Sequence, residues 1–328
     1  MDAPAARAES TFEAKGSTYR LTVLHDSELT ALLPLFSDAF GRTFTVDWLA
    51  KKYACEHNGV RGFSCVAFDE SGEAAGCVGV LPWPVRFGDR VETAGQMVDV
   101  ASGSAHRGRG LFVRCAEAAR DFSDAAGISF LYGFPNEAAD PIWINKLGYR
   151  HLDQRLVEYR LPIRTLWADR VTRRAAVVRP LYDRYVDRTL GRRRPADPVL
   201  ENSLLRDGFA GIDRDRAFYE YKSAFAGSRV VGLDGGRVWL SVRHGLFVGD
   251  LEASSRDEAE KTIRALKRLA ARLGVHQIVF QASEDTRFSS LLANAFRSFP
   301  GMPVIYQNIR SEIPSERLRF SFGDFDNF

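Results

Sequence analysis

Long apolar runs are missing from this chain of 328 residues. No stretch approaches the ~20 residues that cross a bilayer, so a membrane-spanning helix is excluded. Residues 1–16 lack the apolar core of a secretory signal and read as a flexible tail. Cysteine is scarce: Cys55, Cys65, Cys77 and Cys115 show no metal-ligand spacing, so no metal site is expected. They read as buried free thiols in a reducing cytoplasm. A large excess of one charge is also lacking, with 45 Lys and Arg against 42 Asp and Glu, and no nucleic-acid-reading motif appears. Two phosphate-binding patterns fail as well. No Lys-Ser/Thr pair follows Gly110, which excludes a P-loop, and Leu111, Phe112 and Val113 do not complete the dinucleotide fingerprint G-x-G-x-x-G.

What the chain does have is Arg107-Gly108-Arg109-Gly110-Leu111-Phe112, set between a strand-like run at 96–101 and an amphipathic helix over 110–126. Glycines at such a junction let the backbone turn sharply and aim several amides at one point. The positive end of the helix then favours an anion, and the two arginines can add charge-assisted hydrogen bonds. Arg107, Gly108, Arg109, Gly110 and Leu111 therefore read as a pyrophosphate cradle.

The flanking pattern alternates strands and helices. Strands are expected at 18–23, 63–68, 76–81 and 128–132, and helices at 27–40, 45–53 and 141–146. Asp69-Glu70-Ser71-Gly72 gives a hairpin turn between two of those strands. This order, with an Arg-x-x-Gly loop after the fourth strand, resembles the GNAT acyltransferases over about residues 18–162. Gly133-Phe134-Pro135-Asn136-Glu137 and Lys146-Leu147-Gly148-Tyr149 resemble a long bacterial subgroup that serves amino-sugar or surface-polysaccharide pathways. The ending Gly323-Asp324-Phe325-Asp326 is similar to the endings in that subgroup.

The second half repeats the pattern. Strands are expected at 229–233, 237–242, 245–251, 277–280 and 304–309, with helices opening at Ser255 and near Phe288. It lacks an Arg-Gly-x-Gly loop, so one coenzyme site per chain is expected. The resulting fold class is α/β: a GNAT fold, with a mixed, mostly antiparallel twisted sheet flanked by helices, plus a second degenerate GNAT-like domain. The expected division is a tail at 1–16, a coenzyme-binding domain at 17–163, an Arg-rich helical connector at 164–200 and the second domain at 201–328. The connector, from Arg164 to the triplet Arg192-Arg193-Arg194, is either a solvated link or a basic surface for an anionic partner.

The resemblance implies an acyl-CoA-dependent N-acyltransferase, with acetyl-CoA or another acyl-CoA as co-substrate. The acceptor it implies is the amine of a small polar molecule, a nucleotide-linked amino sugar first. The strand before the loop would offer backbone groups at 98–102, Val100 and Ser102 among them, to the coenzyme. Asp99 sits on that strand as a candidate base; strict alternation puts it opposite Val98 and Val100, facing an acceptor. A strand aspartate held in an ion pair is the alternative. Glu137 and Asn136 follow the fifth strand near the reacting groups, although Asn136 equally suits a helix-capping turn. The tyrosine that many GNAT enzymes use as an acid is replaced here by Ile144, with Tyr132 and Tyr149 nearby. Asp324 and Asp326 belong to a tail that is either frayed or packed. Two other classes stay open: a transferase drawing on aminoacyl-tRNA, and a non-catalytic acyl-CoA sensor. The reading places the protein in the cytoplasm and leaves the oligomeric state, a homodimer included, open.

Overall fold

The computed structural model describes residues 9–165, 168, 176–293 and 296–328. The chain divides into two compact units, one of residues 1–85, 91–152 and 304–312, the other of 86–90, 153–303 and 313–328. Arg170, Arg173 and Arg174 of the expected connector lie outside the described residues.

The first unit opens with β1 (Ser10–Ala14) and β2 (Ser17–Leu24), then α1 (Leu32–Phe40) and α2 (Val46–Tyr53). A two-stranded ribbon, β3 (Glu56–His57) and β4 (Val60–Arg61), leads into β5 (Phe63–Phe68), β6 (Ala74–Phe87) and β7 (Arg90–Ser102). Then come α3 (Leu111–Ala125), β8 (Phe130–Gly133), α4 (Asp140–Asn145) and β9 (Arg150–His151). Local chemistry accounts for the joints. The Asp69 carboxylate accepts from the amides of Ser71 and Glu73, closing the β5–β6 turn. Leu111, Cys115, Ala116 and Ala119 bury one face of α3 against the sheet, and Gly127 at φ 86° stops it. The stretch expected as a tail is strand from Ser10 onward, paired with β2, because Phe12 stacks on Tyr19 at 5.5 Å.

The second unit begins with β10 (Leu156–Pro162), α5 (Arg179–Gly191), α6 (Ser203–Arg206), β11 (Gly211–Ile212) and α7 (Arg216–Ala226). It continues with β12 (Arg229–Leu233), β13 (Gly236–Val242), β14 (Leu246–Glu252), α8 (Arg256–Leu273) and β15 (Gln277–Ser283). It closes with α9 (Arg287–Ala293) and β16 (Arg297–Pro300) before β17 (Ile305–Asn308) returns to the first sheet. Ser255 caps α8 through the Glu258 amide, as the capping box predicts.

The two sheets share one plan. Their strand orders contain β5-β6-β7-β8-β17-β9 and β12-β13-β14-β15-β10-β16, with a parallel pair at the third and fourth places of each. The fifth strand is exchanged. β10 follows the first sheet's strands in sequence but pairs antiparallel with β15 and β16. β17 follows the second sheet's strands but pairs antiparallel with β8 and β9.

The C-terminal segment is packed, not frayed. Ser321 Oγ donates to the Gly249 carbonyl on β14 at 2.7 Å, and the Ser283 amide on β15 donates to Phe320 O at 2.9 Å. The segment thus bridges the two strands where they separate. Asp324 is wholly buried and accepts from Arg214 Nη2 at 2.7 Å, while Arg214 Nη1 reaches Asp250 at 2.6 Å. Asp324 is therefore committed to a buried ion pair within the second unit.

Candidate active site

In the first unit, β7 and β8 run parallel from Ala94↔Phe130 to Met97↔Gly133. There β8 ends, while β7 runs on to Ser102 and presents a free strand edge at 98–102. Asp99 adopts φ 51°, a left-handed conformation that Asp tolerates better than most residues. This left-handed residue breaks the alternation that would have turned Asp99 opposite both Val98 and Val100: Val98 is buried and Val100 half-buried.

The Asp99 carboxylate meets the C-terminal turn of α2. Lys52 Nζ donates to Oδ1 at 2.6 Å and the Tyr53 hydroxyl donates to Oδ2 at 2.9 Å. The Lys52 and Asp99 side chains are 3% and 9% exposed, so the pair sits largely out of water. Cys77 Sγ donates to the Asp99 carbonyl at 3.3 Å. Gly79 on β6 makes room: a Cβ there would meet the Tyr53 hydroxyl at 2.2 Å. Burial, with the Asp99 charge beside it, pushes the Tyr53 phenol well above its usual range.

Beyond β7 the chain turns through 103–110. The Ser104 amide donates to Asp38 Oδ2 at 2.6 Å, and this bond holds the Asp38 carboxyl below its ordinary range. Gly108 and Gly110 take φ 71° and 80°, positions where a side chain would be strained. No side chain caps α3, so the first amides of the helix, from Leu111 on, are open to a ligand. Arg107 is exposed, and Arg109 Nη1 donates to Ser17 Oγ at 2.7 Å. His106 is held between the Tyr19 hydroxyl at 2.9 Å and Asp69 at 3.5 Å. The loop carries the features an anionic pyrophosphate needs: two left-handed glycines, an uncapped helix start and two arginines.

Asn136 Oδ1 accepts from the Ala138 and Ala139 amides at 3.1 and 2.9 Å, so it caps the turn before α4. Glu137 is exposed and makes no ion pair among the described residues. Ile144 packs against the core, and buried Tyr149 lies 4.7 Å from the Trp143 ring with its hydroxyl unbonded. Burial raises the thiols of Cys65, Cys77 and Cys115, which disfavours them as nucleophiles. Among the described residues no group of His, Cys, Asp and Glu could hold a metal, and no helix is long and apolar enough to cross a membrane.

Sequence reasoning missed Lys52, Tyr53 and Gly79. Lys52 and Tyr53 look like an ordinary end of an amphipathic helix, and no spacing links them to a strand 46 residues away.

With that geometry in view, residues 20–152 match the family model described as an acetyltransferase (GNAT) domain. Residues 20–152, within the first unit, are thus similar to a GNAT acetyltransferase domain. Solved structures agree over most of the chain. A protein of Enterococcus faecalis V583 described as a probable N-acyltransferase aligns with a TM-score of 0.57 and 16% identity, over 89% of this chain and 73% of that one. A GCN5-related N-acetyltransferase from Kribbella flavida gives 0.55 and 14%, over 88% and 72%. Eis1 from Mycobacterium abscessus gives 0.52 and 14%, over 92% and 82%. At these identities the likeness is one of fold. No curated protein sequence matches the chain.

Proposed function

We propose that the protein is a cytoplasmic N-acyltransferase that moves an acetyl or short acyl group from acyl-coenzyme A to the amine of a small polar acceptor. A nucleotide-linked amino sugar is the first acceptor class to test. The observation that carries the reading is the uncapped start of α3 behind Gly108 and Gly110, next to the free edge of β7. The amides of the 108–113 turn, with Arg107 and Arg109, hold the pyrophosphate. The edge at 98–102, Val100 and Ser102 included, takes the pantetheine arm as a partial extra strand. Acyl-coenzyme A supplies the activated thioester.

The acceptor amine attacks the thioester carbonyl directly. A base first takes the ammonium proton. The carbon–nitrogen bond then forms as the carbon–sulfur bond breaks, and coenzyme A leaves as a thiolate that takes up the second proton shed by the nitrogen. Backbone amides beside Asp99 on the β7 edge stabilise the charge that develops on the carbonyl oxygen. Both Asp99 oxygens are engaged by Lys52 and Tyr53, so Asp99 acts as a positioning residue that fixes the backbone of the β7 edge. Glu137, exposed and without an ion pair among the described residues, is the carboxylate open to take the proton. Asn136 orders the turn that carries it.

Calorimetry with acetyl-coenzyme A tests the donor half. The wild type is expected to bind, and Arg107→Ala with Arg109→Ala to bind roughly 10–100-fold more weakly, from the loss of charge-assisted bonds. A panel of amines, with thiol release as readout, then identifies the acceptor. No binding by the wild type of any acyl-coenzyme A ester sinks the reading.

A further inference from the structure

The second unit has its own separated parallel pair. β14 and β15 pair from Leu246↔Ile278 to Val248↔Phe280, and β14 then continues to Glu252. Asp250 stands two residues beyond the last pair, as Asp99 does in the first sheet, and is likewise neutralised by a buried cation, here Arg214. The chemistry around this second wedge differs in two ways. Ser321 and Phe320 already bridge the two strands. The start of α8 is also closed to an anion: Ser255 occupies the Glu258 amide, the Glu258 carboxylate takes the Ser254 amide, and Asp257 adds a second negative charge. A pyrophosphate has no place there.

A cavity of about 880 Å³ nevertheless opens beside it, lined by the end of β14, the start of α8, the turn after β15 and α6. That volume falls in the range of small-molecule sites. Two polar groups in its wall are buried and incompletely bonded. Ser203 is 3% exposed and its hydroxyl has no hydrogen-bond partner. Asp207 has a side chain 4% exposed; its Oδ2 accepts from the Arg287 amide at 2.8 Å, but its Oδ1 accepts no hydrogen bond. The Arg287 guanidinium forms an ion pair with that oxygen at 3.4 Å, without a hydrogen bond, and the arginine side chain itself is 82% exposed. Leaving such groups without donors is costly, and a ligand that satisfies them gains what the apo wall lacks. Arg206, which also lines the cavity, is exposed and makes no ion pair among the described residues. Leu251, Phe288 and Leu291 supply an apolar wall.

An acceptor for an ammonium, a free guanidinium for a carboxylate and an apolar surface make up a zwitterion's complement. We propose that this cavity binds a free α-amino acid or short peptide with an apolar side chain. Its ammonium donates to Asp207 and Ser203, its carboxylate pairs with Arg206, and its side chain lies on Leu251 and Phe288. The proposal stands apart from acyl transfer in the first unit.

The test is calorimetry on the full chain with L-leucine, L-leucyl-L-leucine, N-acetyl-L-leucine and inorganic phosphate as probes. Leucine or the dipeptide is expected to bind saturably, with N-acetyl-L-leucine and phosphate at least tenfold weaker. Asp207→Asn keeps an acceptor for the Arg287 amide and should weaken binding tenfold or more. Arg206→Ala, at an exposed position, should do the same while leaving the melting temperature unchanged, and it keeps the test valid if Asp207→Asn fails to fold. Arg107→Ala should leave leucine binding unaltered. The proposal is overturned if neither leucine nor the dipeptide binds at millimolar concentration. It is also overturned if the blocked amino acid binds equally well, or if Arg206→Ala changes nothing.

Discussion

Replacing Lys52 by Met leaves the Asp99 carboxylate in a site where its side chain is 9% exposed, with the cation 2.6 Å from it removed. Breaking a buried pair from one side costs roughly 3–5 kcal/mol, because the remaining charge stays out of water. At about 2–4 °C per kcal/mol for units of this size, the melting temperature should fall by roughly 6–20 °C. Asp99→Asn keeps a residue that tolerates φ 51° but strands the ammonium, so it should also destabilise. The double variant removes both charges and should recover much of the loss, with a coupling energy of roughly 2–3 kcal/mol. Calorimetric melting of the four proteins closes the cycle. The catalytic readout separates positioning from proton transfer. In Asp99→Asn the rate should drop while the acid limb of the pH–rate profile stays in place, whereas Glu137→Gln should abolish that limb. Additive losses across the cycle would refute the buried pair as a unit. Loss of the acid limb in Asp99→Asn would refute the positioning role.

The same pocket makes Gly79→Ala informative: its Cβ would meet the Tyr53 hydroxyl at 2.2 Å, and overpacking should cost roughly 1–3 kcal/mol by denaturant melting and lower turnover with it. Gly323→Ala should cost at least as much, because its Cβ would fall 2.0 Å from the Trp239 ring and displace the C-terminal segment, which loss of near-ultraviolet dichroism would report. Lys222 is wholly buried, donates to Phe325 O at 2.5 Å, and desolvation lowers its pKa to about 7 against the partial relief from Asp326 and Asp324. Between pH 7 and its ordinary value of 10.5 the unfolded chain then holds one more proton, so stability attributable to this group rises with pH through that window. Relative to wild type, Lys222→Met should therefore gain most in melting temperature below pH 7, and lose that advantage towards pH 10. A difference independent of pH would refute it.

What the sequence disclosed was local. The Asp69–Gly72 turn, the helix behind Gly110 and the capping box at Ser255 are each set by neighbours a few residues apart, so their patterns could be read directly. Asp99 shows where such reading stops: alternation presumes a regular strand, and a single left-handed residue redirects the side chain towards Lys52 and Tyr53. The destinations of β10 and β17 were equally hidden. Residues 304–309 read as a strand, but apolar alternation says nothing about which sheet receives it. Arg214 and Asp324 escaped for a related reason, since two charges 110 positions apart become partners only when the tail packs.

The exchanged strand also has a consequence for how the protein is made. The gap between β8 and β9 is filled by Ile305–Asn308, which leave the ribosome long after the rest of the first sheet. At 5–20 residues per second the wait is roughly 8–30 s. During it, two strand edges stand unpaired on the nascent chain, the kind of surface that recruits wrong partners. The nearest competitor is β10, which emerges directly after β9. The newborn polypeptide must keep that segment for the second sheet, so a strand synthesised after those of the second sheet is the one that completes the first.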